Sequence, residues 1–409
     1  MIKLIISKHL AKHVLTKLKK TLSYLLYILL LCTLNSAAYS FDTLAKSAIV
    51  FDETTGSILL EKDADKPLPP ASMSKLMTLL LAFEALQDGR VSLENKFRVS
   101  AKASQKGGSK MFIEENQLVS VEDLVRGITV ASGNDACIAL AEALNGTEDS
   151  FVSRMNIKAK DLGLTNSYFT NSTGWPATQH VMSARDLLKL AIHVREKYPE
   201  YYHYFQEKEF TWNGIRRQNR NPLLNAEIGA DGLKTGHTEE AGYGLVGSSK
   251  LGDRRVSFVL AGLKTSQDRK FEGEKIANWA FRDFSVVNLF PNDHLVGRAP
   301  VWIGEENYVG LFTTEEIKIL LPYGKKSLVK AEAHVQTPIT TPIMEHDTIG
   351  TLRISAPSFI LGNKDRILDF PLVSKSNIGT GSIAKKVQAA ARTVILKALK
   401  LTKLNDVIN

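Results

Sequence analysis

The chain has 409 residues, 44% of them hydrophobic and 23% charged, which is too long for one ordinary core and calls for at least two domains. Its formal charge of +9 sits at the two ends: residues 1–40 carry six Lys and no acid, residues 381–409 have a net of +5, and the body between them has a net of −2. A body without a broad cationic surface excludes the usual footprint of a nucleic-acid-binding protein, so no nucleic-acid partner is expected.

The first 40 residues read as an export signal. Lys3, Lys8, Lys12, Lys17, Lys19 and Lys20 form a positive leader, Leu22 to Leu34 is an apolar run too short for an ordinary membrane span, and small residues follow at Ser36, Ala37, Ala38 and Ser40. The remainder is then exported. Of the two cysteines, Cys32 lies in that leader, which leaves Cys137 alone in an apolar helical stretch, where a small buried hydrophobe is expected rather than a nucleophile.

Residues 47–52 and 57–62 have the pattern of two strands joined by a turn around Glu53–Gly56. Pro67, Pro69 and Pro70 stop the sheet, and a helix is predicted from about Ser72 to Gly89. Val121–Gly127 and Asp135–Leu144 read as helices flanking the segment TVASGND. Leu233–Thr238, Gly242–Ser249 and Val256–Leu263 predict an antiparallel meander, and Asp268–Val287 is predicted as a helix. Short β-type runs between Gly, Pro and Asn turns from His294 to Phe370 predict a small all-β sandwich. Ser382–Asn409 is predicted as a basic amphipathic helix. Ile383, Val387, Ala391, Val394, Ala398 and Leu401 share one face, with Lys385, Arg392, Lys400 and Lys403 opposite, a pattern suited to an anionic membrane interface. The expected division is therefore 1–40 signal peptide, 41–291 catalytic domain, 292–376 β-rich domain and 382–409 anchoring helix.

Three short motifs carry the chemistry. Ser72-Met73-Ser74-Lys75 is an S-x-x-K, Ser132-Gly133-Asn134 an S-x-N, and Lys234-Thr235-Gly236 a K-T-G. This ordered trio is the signature of penicillin-binding proteins and class A β-lactamases. At a helix start, residues i and i+3 share a face, so Lys75 can set its amine beside the Ser72 hydroxyl. That hydroxyl is a poor nucleophile until a base takes its proton. A lysine serves as that base only when burial or neighbouring charge lowers its pKa, and Lys234 is expected to supply such a charge.

With these motifs the chain resembles the D-alanyl-D-alanine carboxypeptidases among the low-molecular-mass penicillin-binding proteins. PPASMSKLMT, VASGNDACIALAE, NRNPLL and DGLKTGHTEEAGYGLVGSS look like that family's segments. The resemblance implies an α/β (α+β) transpeptidase domain of penicillin-binding-protein and β-lactamase type, with an antiparallel sheet flanked by helices. It further implies Ser72 as nucleophile, Lys75 as general base and Ser132 as proton relay, with Asn134 holding the substrate amide. Lys234, Thr235, Gly236, His237 and Arg269 would bind substrate, and the backbone N–H groups of Ser72 and His237 would form the oxyanion hole. The implied partners are peptidoglycan stem peptides, β-lactams as inhibitors and the periplasmic face of the inner membrane, with no cofactor and no metal. A β-lactamase, a D,D-endopeptidase or a weakly active β-lactam-binding scaffold would share the trio.

Overall fold

The computed structural model describes residues 41–359, 364–387 and 391. The expected signal peptide lies outside the described residues. So does most of the expected C-terminal helix, of which residues 383–387 are helical.

The chain opens with β1 (Ser47–Asp52) and β2 (Ser57–Lys62), paired antiparallel, and then α1 (Lys75–Gln87), entered through a 3-10 turn at Ala71–Ser74. β3 (Lys96–Arg98) and β4 (Leu118–Ser120) form a small ribbon around α2 (Ala101–Gln105). The helices α3 (Val121–Thr129), α4 (Asn134–Asn145), α5 (Glu148–Asp161) and α6 (Ala184–Lys197) follow, then a second ribbon of β5 (Glu209–Trp212) and β6 (Ile215–Gln218). β7 (Ala230–Thr238), β8 (Gly242–Leu251) and β9 (Arg254–Leu263) make the expected meander, and α7 (Ser266–Arg282) completes the domain.

The main sheet runs β2-β1-β9-β8-β7, so β7 with its K-T-G lies at an edge. Successive residues of a strand face opposite ways. Val246 and Val259 join the core cluster that contains Leu187 and Leu190 of α6. Leu245, one position away, meets α7 at Gly273, where even a methyl group would stand 3.0 Å from its side chain. Helices therefore cover both sides of the sheet. On the α6 side α1 is buried at every position from Lys75 to Phe83, because KLMTLLLAF is apolar nearly all round and tolerates no wet face. The one charge that enters the core with it is Lys75.

The helix predicted over Asp268–Val287 ends five residues early. Thr265 caps it with a reciprocal capping box to Asp268, it stops at Arg282, and β10 (Phe284–Phe290) begins two residues on. The run Phe-Ser-Val-Val-Asn-Leu-Phe is aromatic and β-branched, which favours a pleated strand, and it pairs with β13 (Ile317–Pro322).

The remaining strands are β11 (Leu295–Trp302), β12 (Tyr308–Thr313), β14 (Lys330–Val335), β15 (Ile339–Thr340), β16 (Thr348–Ala356) and β17 (Arg366–Val373), in the order β14-β16-β17-β12-β11-β15. Ile317, Ile319 and Leu321 of the two-stranded β10–β13 pair share one core cluster with Leu311, Leu352, Ile354 and Leu372 of this sheet. The two sheets thus pack face to face as a sandwich.

Candidate active site

Ser72 sits on the 3-10 turn that leads into α1. Ala71 has φ +47°, a left-handed conformation that is unusual for a residue with a side chain, and Ser74 steadies the turn by donating from its hydroxyl to the Ala71 carbonyl at 3.1 Å. Two glycines let other segments close on it. A Cβ at Gly236 of β7 would stand 2.8 Å from the Pro70 carbonyl oxygen, and one at Gly174 would come within 2.0 Å of the Ala71 carbonyl oxygen. Gly174 also has φ +75°.

Lys75 is fully buried one turn after Ser72. Its Nζ lies 2.8 Å from Ser72 Oγ, 2.8 Å from Asn134 Oδ1 and 2.5 Å from the Thr173 carbonyl oxygen. Two of these partners, the amide oxygen and the carbonyl, can only accept. A neutral amine has two N–H bonds and one lone pair, so both N–H bonds are claimed and the lone pair is left for the Ser72 hydroxyl. Burial lowers the Lys75 pKa to about 8, with the charges of Arg220 and Lys106 pushing the same way. Burial also pushes the neighbouring Cys137 up to about 12, so this thiol stays neutral and brings no compensating anion.

Ser132, with φ +57°, lies on the turn between α3 and α4. Its Oγ accepts from Lys234 Nζ at 2.9 Å. Lys234 is likewise buried, and burial first, then the Lys75 charge, holds its pKa well below the ordinary lysine value. Of the two causes expected from the sequence, burial or neighbouring charge, burial is the stronger for Lys75. Asn134 starts α4 and reaches both ways, Oδ1 to Lys75 and Nδ2 to the Gly107 carbonyl at 2.9 Å. Asp135 fixes the facing loop, accepting from the backbone N–H groups of Met111, Phe112 and Ile113 at 3.0, 2.8 and 3.3 Å.

One segment that sequence reasoning passed over closes the far side of Lys75. Ser172 is clamped at every polar atom: its N–H and Oγ donate to Glu148 Oε1 at 3.1 and 2.8 Å, and its carbonyl accepts from Thr78 Oγ1 at 2.6 Å. Lys102 Nζ neutralises the other Glu148 oxygen at 2.8 Å. The next carbonyl along, that of Thr173, is the one that accepts a hydrogen bond from Lys75 Nζ. The polar, glycine-containing run TNSTG was the available signal. Arg220, inside the NRNPLL segment, also went unassigned, and it donates to Ser109 Oγ at 2.7 Å on the loop beside Asn134.

The D-alanyl-D-alanine carboxypeptidase family model matches residues 34–265, and that of the penicillin-binding protein 5 C-terminal domain matches residues 284–380. The chain belongs to the D-alanyl-D-alanine carboxypeptidase family. The D-alanyl-D-alanine carboxypeptidase DacC of Escherichia coli is 36% identical over 84% of this chain and 86% of its own. Penicillin-binding protein 5 of Haemophilus influenzae has a crystal structure that superposes with a TM-score of 0.72 at 32% identity, over 84% of this chain and all of that one. Penicillin-binding protein D2 of Listeria monocytogenes in its ampicillin-bound form matches with a TM-score of 0.55 at 30% identity, over 59% of this chain and 99% of that one.

In this carboxypeptidase the remaining predicted residues lie on β7 and in the first turn of α7. Lys234 and Thr235 are buried on β7, whereas His237 is exposed two residues further on. The His237 ring stacks on Tyr243 across the strand pair, with centroids 3.8 Å apart. The Arg269 guanidinium lies 5.5 Å from the centre of the same Tyr243 ring, and its charge contributes to the lowering of Lys234. Among the described residues, buried Arg269 Nε has no hydrogen-bond partner.

Proposed function

We propose that this serine-type D-Ala-D-Ala carboxypeptidase works through Ser72 as the acyl-accepting nucleophile and Lys75 as its base. Neutral Lys75 takes the Ser72 proton as Oγ attacks the carbonyl of the penultimate D-Ala. The N–H groups of Ser72 and His237 receive the developing oxyanion, a role supported by the close passage of Gly236 against the Pro70–Ala71 backbone. Ser132 accepts from Lys234 and so keeps its own proton available for the leaving amine. The C–N bond breaks as the Ser132 proton passes to the amine, Lys75 returns its proton to Ser132 and is neutral again, and terminal D-Ala departs. Lys75 then takes a proton from the water that attacks the Ser72 ester and delivers it to Ser72 Oγ as the acid leaves. Lys234, Thr235 and Arg269 hold the terminal carboxylate, and Asn134 holds the substrate amide. A β-lactam would acylate the same oxygen, but its amine stays tethered after ring opening and so leaves the ester in place.

The observation that carries this reading is the three-way coordination of Lys75 Nζ, with two obligate acceptors and one hydroxyl. Release of D-Ala from diacetyl-Lys-D-Ala-D-Ala tests it. Ser72→Ala abolishes release and Lys75→Met lowers it by roughly 100- to 10,000-fold. Undiminished release by either variant would overturn the assignment.

We further propose that the protein is exported and sits peripherally on the periplasmic face of the inner membrane through residues 382–409. The basic leader with its apolar run and the one-sided apolar spacing of the C-terminal segment support this. Among the described residues no helix is long and apolar enough to cross a membrane.

A further inference from the structure

One aromatic ring bridges His237, whose N–H serves the oxyanion, and Arg269, assigned to the terminal carboxylate, and the reaction above gives that ring no part. Tyr243, near the start of β8, pairs directly with His237 of β7, and the two rings stack with centroids 3.8 Å apart and planes 27° apart. The Arg269 guanidinium lies 5.5 Å from the centre of the same ring.

The register of strand and helix sets this contact. Tyr243 and Leu245 are two positions apart on β8 and so share a face of the sheet. Leu245 meets α7 at Gly273, where a Cβ would stand 3.0 Å from the Leu245 side chain and 3.1 Å from that of Leu223. Arg269 precedes Gly273 by one helical turn, about 6 Å along the axis, close to the roughly 6.6 Å that separate Tyr243 from Leu245 along the strand. Close packing at Gly273 therefore brings Arg269 over Tyr243.

Arg269 is held there without an acid. Among the described residues it forms no ion pair, and its buried Nε has no hydrogen-bond partner. The acids beside it on α7 are engaged elsewhere. Asp268 Oδ2 accepts from the Thr265 N–H at 3.0 Å in the helix cap, and buried Glu272 accepts from the Leu44 N–H at 3.2 Å and pairs with Lys275 Nζ at 3.3 Å. The first turn is also the positive end of a helix, so the dipole does not favour a cation at this position. The Tyr243 ring supplies an attraction of another kind. An aromatic face holds a guanidinium without neutralising it and leaves the N–H groups at its edge open to a carboxylate, whereas an acid in the same place would compete with the substrate.

Resting on the carboxypeptidase reading, we propose that Tyr243 is a positioning residue for recognition of the substrate's terminal carboxylate. Its ring anchors the Arg269 guanidinium, and the stack with His237 fixes the ring in turn. Tyr243 touches no reacting atom and acts on the substrate through Arg269. The aromatic ring carries the effect, and the phenol hydroxyl is dispensable.

The test compares kcat/KM for D-Ala release from diacetyl-Lys-D-Ala-D-Ala with that for D-alaninamide release from the same peptide amidated at its C-terminus. Wild type favours the free acid. Tyr243→Leu lowers that preference by about two- to thirtyfold, the range of a cation–π contact, through a higher KM for the acid and with little change on the amide. Tyr243→Phe keeps the ring and keeps the preference. In Arg269→Ala the preference is already reduced, and adding Tyr243→Leu lowers it no further. Thermal denaturation identifies the folded variants, and Tyr243→Met takes the place of Tyr243→Leu should the latter not fold. An unchanged preference in Tyr243→Leu, an equal loss on acid and amide, a Tyr243→Phe that behaves as Tyr243→Leu, or a further drop in the double variant overturns the positioning role. A wild type that does not distinguish acid from amide overturns the carboxylate site itself. Failure of wild type to act on either peptide overturns instead the carboxypeptidase reading on which the proposal rests.

Discussion

Glu148 and Ser172 are joined by two hydrogen bonds to a single carboxylate oxygen, and Thr78 of α1 holds the Ser172 carbonyl from the other side. This clamp sets the position of the next carbonyl, that of Thr173, against Lys75. Glu148 and Thr78 thus act as positioning residues. Thr78→Val removes the donor while conserving shape and leaves a buried carbonyl unpaired, a loss of about 1–3 kcal/mol of stability. It should also slow penicillin acylation, because the amine loses a fixed acceptor and its lone pair is no longer aimed. Glu148→Gln retains an acceptor for Ser172 and should lie closer to wild type than Glu148→Ala. Equal acylation rates in folded Thr78→Val and wild type would count against the clamp.

The pH dependence follows from Lys75. The base must be neutral, and burial lowers its pKa to about 8. Acylation should therefore rise with pH through the neutral range and level off above about 8. At pH 7 the neutral amine is roughly a tenth of the total. Lys75 is faced by Lys106, Arg220, Asp135, Cys137 and, across the cleft, Lys234. Since the cations among them oppose its protonation, removing the Arg220 charge with Arg220→Gln should move the rising limb to higher pH. A limb that moves the other way, or does not move, would contradict this electrostatic account.

Close approach makes two glycines sensitive. Gly174→Ala places a Cβ 2.0 Å from the Ala71 carbonyl oxygen at a positive φ, and the turn that bears Ser72 must shift. It should cost more stability than Gly56→Ala, where φ is also positive but nothing lies within 4 Å, the strain common to both being about 1 kcal/mol. Thermal denaturation of the two variants gives the difference, and acylation should fall only in Gly174→Ala. Similar melting temperatures would show that the turn relaxes.

Much of this arrangement was legible in the chain because its signals are local. The strands at 47–52 and 57–62, the three-strand meander and the helices around Ser132 follow from period and punctuation, and the trio names its own chemistry. In the segment at 171–175 the polar, glycine-containing run marks a loop, but nothing in it tells that the Thr173 carbonyl will meet a lysine 98 residues away. The end of α7 was misread for a related reason: Phe284–Phe290 can continue a helical pattern, and only its pairing with Ile317–Pro322 makes it a strand. Burial of Lys75 likewise depends on α4 and the 172–174 segment closing over it, which no pattern within Ser72–Lys75 encodes.

Deleting residues 382–409 should release the protein from membranes while soluble D-Ala release persists. Sedimentation of the truncated protein with membranes, as for the full chain, would contradict the anchoring proposal.

Mapping the site of covalent labelling bears most directly on the central claim. After reaction with a fluorescent penicillin and proteolysis, the adduct should lie on the peptide that contains Ser72, with no labelling of Ser72→Ala. An adduct on any other residue, or undiminished labelling of Ser72→Ala, would contradict the account.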